Sequence, residues 1–305
     1  MRVSTTQVWG NAVNNLQSAQ ERQMTANDQV STQKISTDLM GYGRSAEIIA
    51  SYQATLSNTN AFIDVNKTVS DRLDAQNLAL ERTGDAASQA KDAIMSALAS
   101  GDGSSLAIAI QGAFSSSLDG LNYVHNGQYI FGGGNDDNQP VKVTNLTDLA
   151  ALPQASDAFQ NGDVKKSSRI DVHTTIQTGM LASDLGTQLM GLFQQYQQQA
   201  TTTPFGNQLD DTQKSFLTNL AGQLTTTYDK LVEQTSLNGT MQKRVENTQK
   251  SLQGQVTSLT GLIGDRTDAD MAKAYSDLQI AQVSVQASAQ VLNTLRDTSL
   301  LNLLK

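Results

Sequence analysis

The chain of 305 residues contains no cysteine, which excludes disulfides, thiolate nucleophiles and every sulfur-ligated metal site. Histidine is almost as scarce. The two histidines, His125 and His173, do not have the spacing of a HExxH-type zinc motif. No candidate nucleophile and orienting carboxylate form a recognisable catalytic signature around His125, which we expect at a turn. The sequence therefore predicts a protein that is not an enzyme and that has no metal or other cofactor.

Charge is also low, and its balance is acidic. Charged residues make up 16% of the chain, against about 25% in typical soluble domains, and the formal net charge is -8. An acidic chain lacks the basic surface that phosphate binding requires, so nucleic acid is not expected as a partner.

No apolar run approaches the roughly 18 residues of a membrane span. The N-terminus lacks the apolar region and cleavage site of a secretory signal peptide, so we expect export, if any, by a route without a removable signal.

Proline occurs only in the middle of the chain, at Pro140, Pro153 and Pro204. Because proline is the strongest helix breaker, residues 1–139 and 205–305 are free to form long helices. Irregular structure is expected between them.

Both ends of the chain have the apolar spacing of coiled-coil helices. Near the N-terminus the spacing alternates between three and four residues, with one polar position at Gln23: Trp9, Ala12, Leu16, Ala19, Gln23, Ala26 and Val30. Near the C-terminus one row recurs every seven residues and a second row lies beside it: Met271, Leu278, Val285 and Leu292, then Ala274, Ala281 and Leu295. Each terminus thus presents one narrow apolar seam.

Two longer segments further inward keep a similar seven-residue step. Residues 45–100 and 208–263 would each form a helix of about 84 Å at 1.5 Å per residue. Their matched lengths favour lateral pairing. Between them we expect a third helix from Leu106 to Val124, short strands at 128–131, 141–143 and 170–176, and a further helix over 179–200.

The predicted fold is mainly α, with long antiparallel helical rods, terminal coiled-coil helices and a small β-containing insertion. Residues 1–40 and 265–305 would form a terminal helical assembly domain. Residues 41–135 and 179–264 would form a long-helix rod domain, and residues 136–178 a small β-rich exposed insertion.

Two segments look like paired linkers between the terminal and the inner helices. They are STDLMGYGRSAE at 36–47 and GDRTDAD at 264–270. The glycines of Gly132–Gly134 lack the lysine of a phosphate-binding loop, and the aspartates of 264–270 lack the spacing of an EF-hand. We interpret these features as turns and a helix cap.

Several motifs, taken in order, resemble those of the bacterial flagellin family. MRVSTTQVW is similar to that family's MRIST start, STQKIST to its STGK-type segment, and HNGQYIFGGGN to its NGxYIFxG strand. The last 38 residues, from DADMAKAYSDLQ to LLNLLK, resemble the shared flagellin terminus. The resemblance covers residues 1–135 and 205–305.

The sequence departs from the family at Gly41–Arg44, where an Asp-Asp-Pro turn is usual. Within the family the GQYIFGG stretch favours the hook-filament junction proteins over the filament subunits.

The resemblance implies a structural subunit of the bacterial flagellum that forms the junction ring between hook and filament; the alternative is a flagellin filament subunit. It implies secretion to the cell exterior without membrane insertion. The implied partners are the first hook-associated protein, flagellin, other copies in a ring, a cytoplasmic export chaperone and the flagellar type III export apparatus.

A narrow terminal seam cannot form a stable core alone, because ordering the backbone costs about 1–2 kcal/mol per residue. We therefore expect the terminal helices to bury their seams on assembly. The predicted assembly interface consists of Trp9, Leu16, Val30, Met271, Leu278, Val285, Leu292 and Leu295.

A rival of another class is a carbohydrate-binding or hydrolytic module built on residues 139–177. Such a module needs clustered aromatics or a pair of placed carboxylates. Phe159 is the one aromatic residue in this stretch, so the assembly hypothesis is preferred.

Overall fold

A computed structural model describes residues 5–303 of the chain, with side chains described from residue 7 to residue 297. The first four and last two residues, which belong to the flagellin-like motifs quoted above, lie outside this range. The described part is mainly α-helical, which confirms the predicted fold class. Its helices are α1 (Thr5–Thr32), α2 (Ala46–Ser100), α3 (Leu106–Leu121), α4 (Leu146–Ala151), α5 (Ala182–Thr202), α6 (Asp211–Thr267) and α7 (Met271–Leu303).

The strands in the described part are short and form two antiparallel hairpins. One pairs β1 (Val124–His125) with β2 (Gln128–Tyr129), and the other pairs β3 (Ser167–Arg169) with β4 (Thr175–Gln177). Two 3-10 helices lie at Met40–Ser45 and Ala155–Ala158.

Local sequence explains where several helices begin and end. The helix α5 ends at Thr202, two residues before Pro204, because proline cannot continue the hydrogen-bond ladder. A reciprocal capping box opens α6, where Asp210 Oδ1 accepts from the Gln213 amide at 2.7 Å and Gln213 Oε1 accepts from the Asp210 amide at 3.1 Å. Asp270 caps α7 by accepting from two first-turn amides.

The described residues form two compact units, and α2 and α6 contribute to both. The terminal unit combines 1–59 with 254–305, of which the structure describes 5–59 and 254–303; the central unit is 60–253. In the terminal unit α1 packs along α7. The end of α1 meets the start of α7 through an antiparallel bridge between Lys34 and Asp268, so the two helices run in opposite directions.

In the central unit α2 and α6 are antiparallel partners. Asn238 Nδ2 on α6 donates to the Leu73 carbonyl on α2 at 2.8 Å. The main core lies between these helices, α3 and α5, and includes an edge-to-face contact of Phe114 with Phe193 at 5.5 Å between ring centroids. A second, smaller core lies at the β3–β4 hairpin.

Buried side chains of α2 fix the β3–β4 hairpin to that helix. Asn66 Nδ2 donates to the Ile170 carbonyl at 2.6 Å, and Gln76 Nε2 donates to the Thr178 carbonyl at 2.8 Å. Buried polar groups need such partners to offset the loss of water. These bonds hold the hairpin at one position along α2.

The sequence-based strand predictions need three corrections. Residues 170–176 do not form one strand, because the chain turns between β3 and β4 and the Ile170 amide donates back to the Thr174 carbonyl at 2.9 Å. Residues 141–143 form only an isolated bridge from Val141 to Phe159. The strand expected at 128–131 ends at Tyr129, because the chain turns there and the Gly132 amide donates back to the Tyr129 carbonyl at 3.2 Å. The expected linker 264–270 is also shorter, because α6 continues to Thr267.

Candidate assembly surface on the terminal helices

The structure places the predicted interface residues along the paired helices of the terminal unit. All eight are half-buried: Trp9, Leu16 and Val30 on α1, and Met271, Leu278, Val285, Leu292 and Leu295 on α7. Fully buried alanines alternate with them, namely Ala12, Ala19 and Ala26 on α1, with Ala274 and Ala281 on α7. The two seams predicted from the sequence are therefore both used on the α1–α7 pair of a single chain.

The alanines explain how closely α1 and α7 can pack. A buried alanine allows close approach of two helices, because the interaxial distance depends on the side chains at the contact. The larger side chains flank this alanine row and keep part of their surface accessible. Pairing within the chain therefore leaves apolar surface available for a further contact.

A second apolar row on α7 lies on a different side of the helix. The α7 stripe, as we name it, consists of Ile280, Val283, Ala287 and Val291, with spacings of three, four and four. At about 100° per residue it lies roughly 120° around the helix from the buried alanines. Its three larger members are 61%, 65% and 52% exposed, in chain order.

A third face of α7 separates these two apolar sides and is polar. It carries the exposed residues Gln279, Gln282, Gln286 and Gln290. A helix that is apolar on two sides is typically covered on both. Sequence reasoning missed the α7 stripe because it followed the seven-residue step alone; the 3-4-4 spacing was the available signal.

A groove of about 810 Å³ runs between α1 and α7 beside the α7 stripe. Ile280 and Ala281 contribute apolar surface from α7, while Glu21 and Arg22 contribute charges from α1. Both walls also carry polar side chains, Asp277 among them on α7, so the groove mixes apolar and polar surface. Such a surface suits an amphipathic helix, which offers both kinds of side chain.

The linkers that flank the pair are joined by a short clasp. The Ile35 amide donates to the Thr267 carbonyl at 2.7 Å, and the Ala269 amide donates to the Gln33 carbonyl at 3.0 Å. Lys34 Nζ lies 2.5 Å from Asp268 Oδ1. This hydrogen bond from Lys34 is the main reason that the pKa of Asp268 lies below its ordinary value. The clasp fixes the register in which α1 and α7 meet.

The other sequence-based site predictions concern metals and membranes. Within the described range, no three histidine, aspartate or glutamate side chains lie close enough together to hold a metal ion. No helix in that range is both long enough and apolar enough to cross a membrane.

Comparisons with known proteins give a match to a sequence family and matches to solved structures. The family model of the bacterial flagellin C-terminal helical region matches residues 221–304. No curated protein sequence matches the chain. A protein described as a flagellar hook-associated protein of Vibrio parahaemolyticus shares the fold with a TM-score of 0.60 at 10% identity, covering 73% of this chain and 97% of its own.

FlgL of Bacillus cereus also shares the fold, with a TM-score of 0.58 at 15% identity, covering 70% of this chain and 99% of its own. At such identities the structural matches establish the fold alone. The C-terminal helices of this chain are flagellin-like, and its fold is one that flagellar hook-associated proteins adopt.

Proposed function

We propose that the chain is a structural subunit of the bacterial flagellum that forms the junction ring between hook and filament. The exposed α7 stripe, on a helix that matches the flagellin C-terminal region, is the observation that carries this proposal. The proposed role is mechanical and requires no catalytic residue or cofactor.

The terminal helices would assemble in two layers of contact. Within one chain, the eight seam residues named above would stabilise the α1–α7 pair, which we propose to be the assembly domain of residues 1–40 and 265–305. Between chains, Ile280, Val283 and Val291 would be covered by a neighbouring copy. Full burial of such side chains contributes about 1.5–3 kcal/mol each. A head-to-tail contact of this kind closes into a ring when the rotation between copies allows it.

The remaining segments would have supporting roles. Residues 41–135 and 179–264 would form the rod domain, and residues 136–178 a small insertion exposed on the outside. The first hook-associated protein would lie on one side of the ring and flagellin on the other. A chain without disulfides suits export in an unfolded state by the flagellar type III apparatus, with a cytoplasmic chaperone covering α7 beforehand.

A seeded growth assay tests the proposed position. Purified protein is added to isolated hooks that carry the first hook-associated protein, and the products are measured by electron microscopy. We expect a short addition of defined length that then accepts flagellin. Growth of long filaments from this chain alone would instead identify it as a filament subunit.

Two matched variants in the same assay test the interface. Val283→Asp places a carboxylate on the α7 stripe, and Gln286→Asp places one on the polar face three residues away. A carboxylate buried without a partner costs several kcal/mol, so we expect Val283→Asp to prevent addition and Gln286→Asp to permit it. Equal addition by both variants would contradict the proposed contact.

A further inference from the structure

A pocket in the central unit lies between α2 and the two hairpins, far in sequence from the terminal helices. Its volume is about 310 Å³. Its lining consists of Thr68, Val69 and Arg72 of α2, His125, Asn126, Gln128, Tyr129 and Ile130 of the first hairpin region, and Lys166, Ser167, Ser168 and Thr178 of the second. This volume is at the lower end of the roughly 300–1,000 Å³ range of ligand pockets. The pocket is therefore of a size for one small molecule.

The charge of the pocket is opposite to that of the chain. Arg72 and Lys166 both line it, and no aspartate or glutamate does so among the described residues. The nearest carboxylate partner is Asp136, which is buried and is bonded to Lys166 Nζ through Oδ2. Two cations against one carboxylate leave an excess of positive charge in a protein of net charge -8.

Arg72 is only partly satisfied. Its Nη2 donates to the Ile130 carbonyl at 3.0 Å, while its buried Nε has no hydrogen-bond partner within the described part of the chain. Burial lowers the pKa of Arg72, and burial together with the nearby Arg72 lowers the pKa of Lys166. An oxyanion bound between the two cations would relieve their repulsion.

The rest of the lining offers neutral hydrogen-bonding groups. Ser167, Ser168 and Thr178 supply hydroxyls, Gln128 supplies an amide, and Tyr129 supplies a phenol. Neutral donors and acceptors around a pair of cations match a ligand that combines a carboxylate with several hydroxyls. We infer that this pocket binds a small hydroxylated carboxylate, the chemistry of an acidic sugar.

The two histidines provide a direct assay. His125 lines the pocket, whereas His173 lies exposed in the turn between β3 and β4 and does not line it. NMR spectra of the imidazole C–H groups of the full chain would be followed during titration with glucuronate, glucose and acetate at constant ionic strength. We expect glucuronate to shift the His125 signal in a saturable manner while the His173 signal stays in place. Glucose and acetate should bind at least about tenfold more weakly, because each lacks one set of contacts.

Three variants complete the test. Arg72→Gln should weaken glucuronate binding about tenfold or more, because it removes a charged hydrogen-bond donor. Thr68→Phe should block the pocket without disturbing the fold, since Thr68 is exposed and bonds only within its own helix. Lys67→Gln removes a neighbouring charge outside the lining and should bind as the wild type does.

An absent or unsaturable His125 shift with glucuronate would overturn the inference. Equal responses to glucose or acetate, or unchanged glucuronate binding by Thr68→Phe, would do so as well. The assay uses the unassembled chain, so its outcome is separate from that of the flagellar assembly experiments.

Discussion

Replacing Leu278 by aspartate is the sharpest test of the α1–α7 pair. Leu278 is half-buried on the seam side of α7, one turn before the buried Ala281. Full burial of a leucine contributes about 1.5–3 kcal/mol, so half of this, or about 1 kcal/mol, would be lost with the side chain. Partial desolvation of the new carboxylate adds at least as much. We expect a total loss of about 2–3 kcal/mol from the pairing of the two helices.

Amide hydrogen exchange measured by mass spectrometry reports this loss directly. A change of 2–3 kcal/mol corresponds to roughly 30- to 150-fold faster exchange of the protected amides in α1 and α7, since about 1.4 kcal/mol is a factor of ten. Peptides from the central unit should keep their protection, because they lie outside the terminal unit. They are the internal reference of the experiment.

Gln282→Asp is the matched control, because Gln282 is exposed on the polar face of the same helix. It introduces the same charge four residues away and should leave exchange in α1 nearly unchanged. If the amides of α1 exchange at the same rate in both variants, Leu278 does not hold the pair together, and our account of the terminal unit is wrong.

Three further predictions concern the core, a turn and the clasp. Phe114→Ala removes a fully buried ring that packs edge-to-face on Phe193 and should lower the stability of the central unit by about 3–5 kcal/mol in chemical denaturation. Gly133→Ala should lower its melting temperature, since Gly133 has a φ of 65° and a Cβ there would lie 2.5 Å from the carbonyl oxygen of Gly162. The contribution of the Lys34–Asp268 pair should be present at neutral pH and be lost as the pH falls through the lowered folded-state pKa of the aspartate. The protection factor of the Ile35 amide, which corrects the exchange rate for the pH dependence of the unprotected amide, should therefore fall on acidification, and less so in Asp268→Asn.

The ends of the long helices could be predicted to within four residues, because periodicity and helix-breaking residues agree there. The segment expected at 45–100 is a helix from Ala46 to Ser100, and the segment expected at 208–263 is a helix from Asp211 to Thr267. Neither segment contains proline, and both keep one apolar side over many turns. In such segments local preference and tertiary packing favour the same structure.

The hairpins could not be predicted in this way, because a few tertiary contacts decide them. The alternation over 170–176 suggested one strand, but Ile170 and Ile176 both belong to the small core with Val69 and Val245. The chain must turn to bring both isoleucines there. Asp171 supports that turn by accepting from the Val172 amide at 2.6 Å, a local bond that competes with strand pairing. The cationic pocket could not be predicted either, because Arg72 and Lys166 are 94 positions apart in the sequence.

The two apolar sides of α7 also separate two possible orders of assembly. If the seam residues around Leu278 contacted a neighbouring copy directly, α1 and α7 would have to part before the copies could join. If the α7 stripe makes that contact, the pair can form first and present Val283 from a prepared surface. The buried alanines favour the second order, because Ala19 and Ala281 are already covered within one chain and offer little further area to a neighbour. On this argument a change at Leu278 acts on the single chain before assembly, whereas a change at Val283 acts only when copies meet.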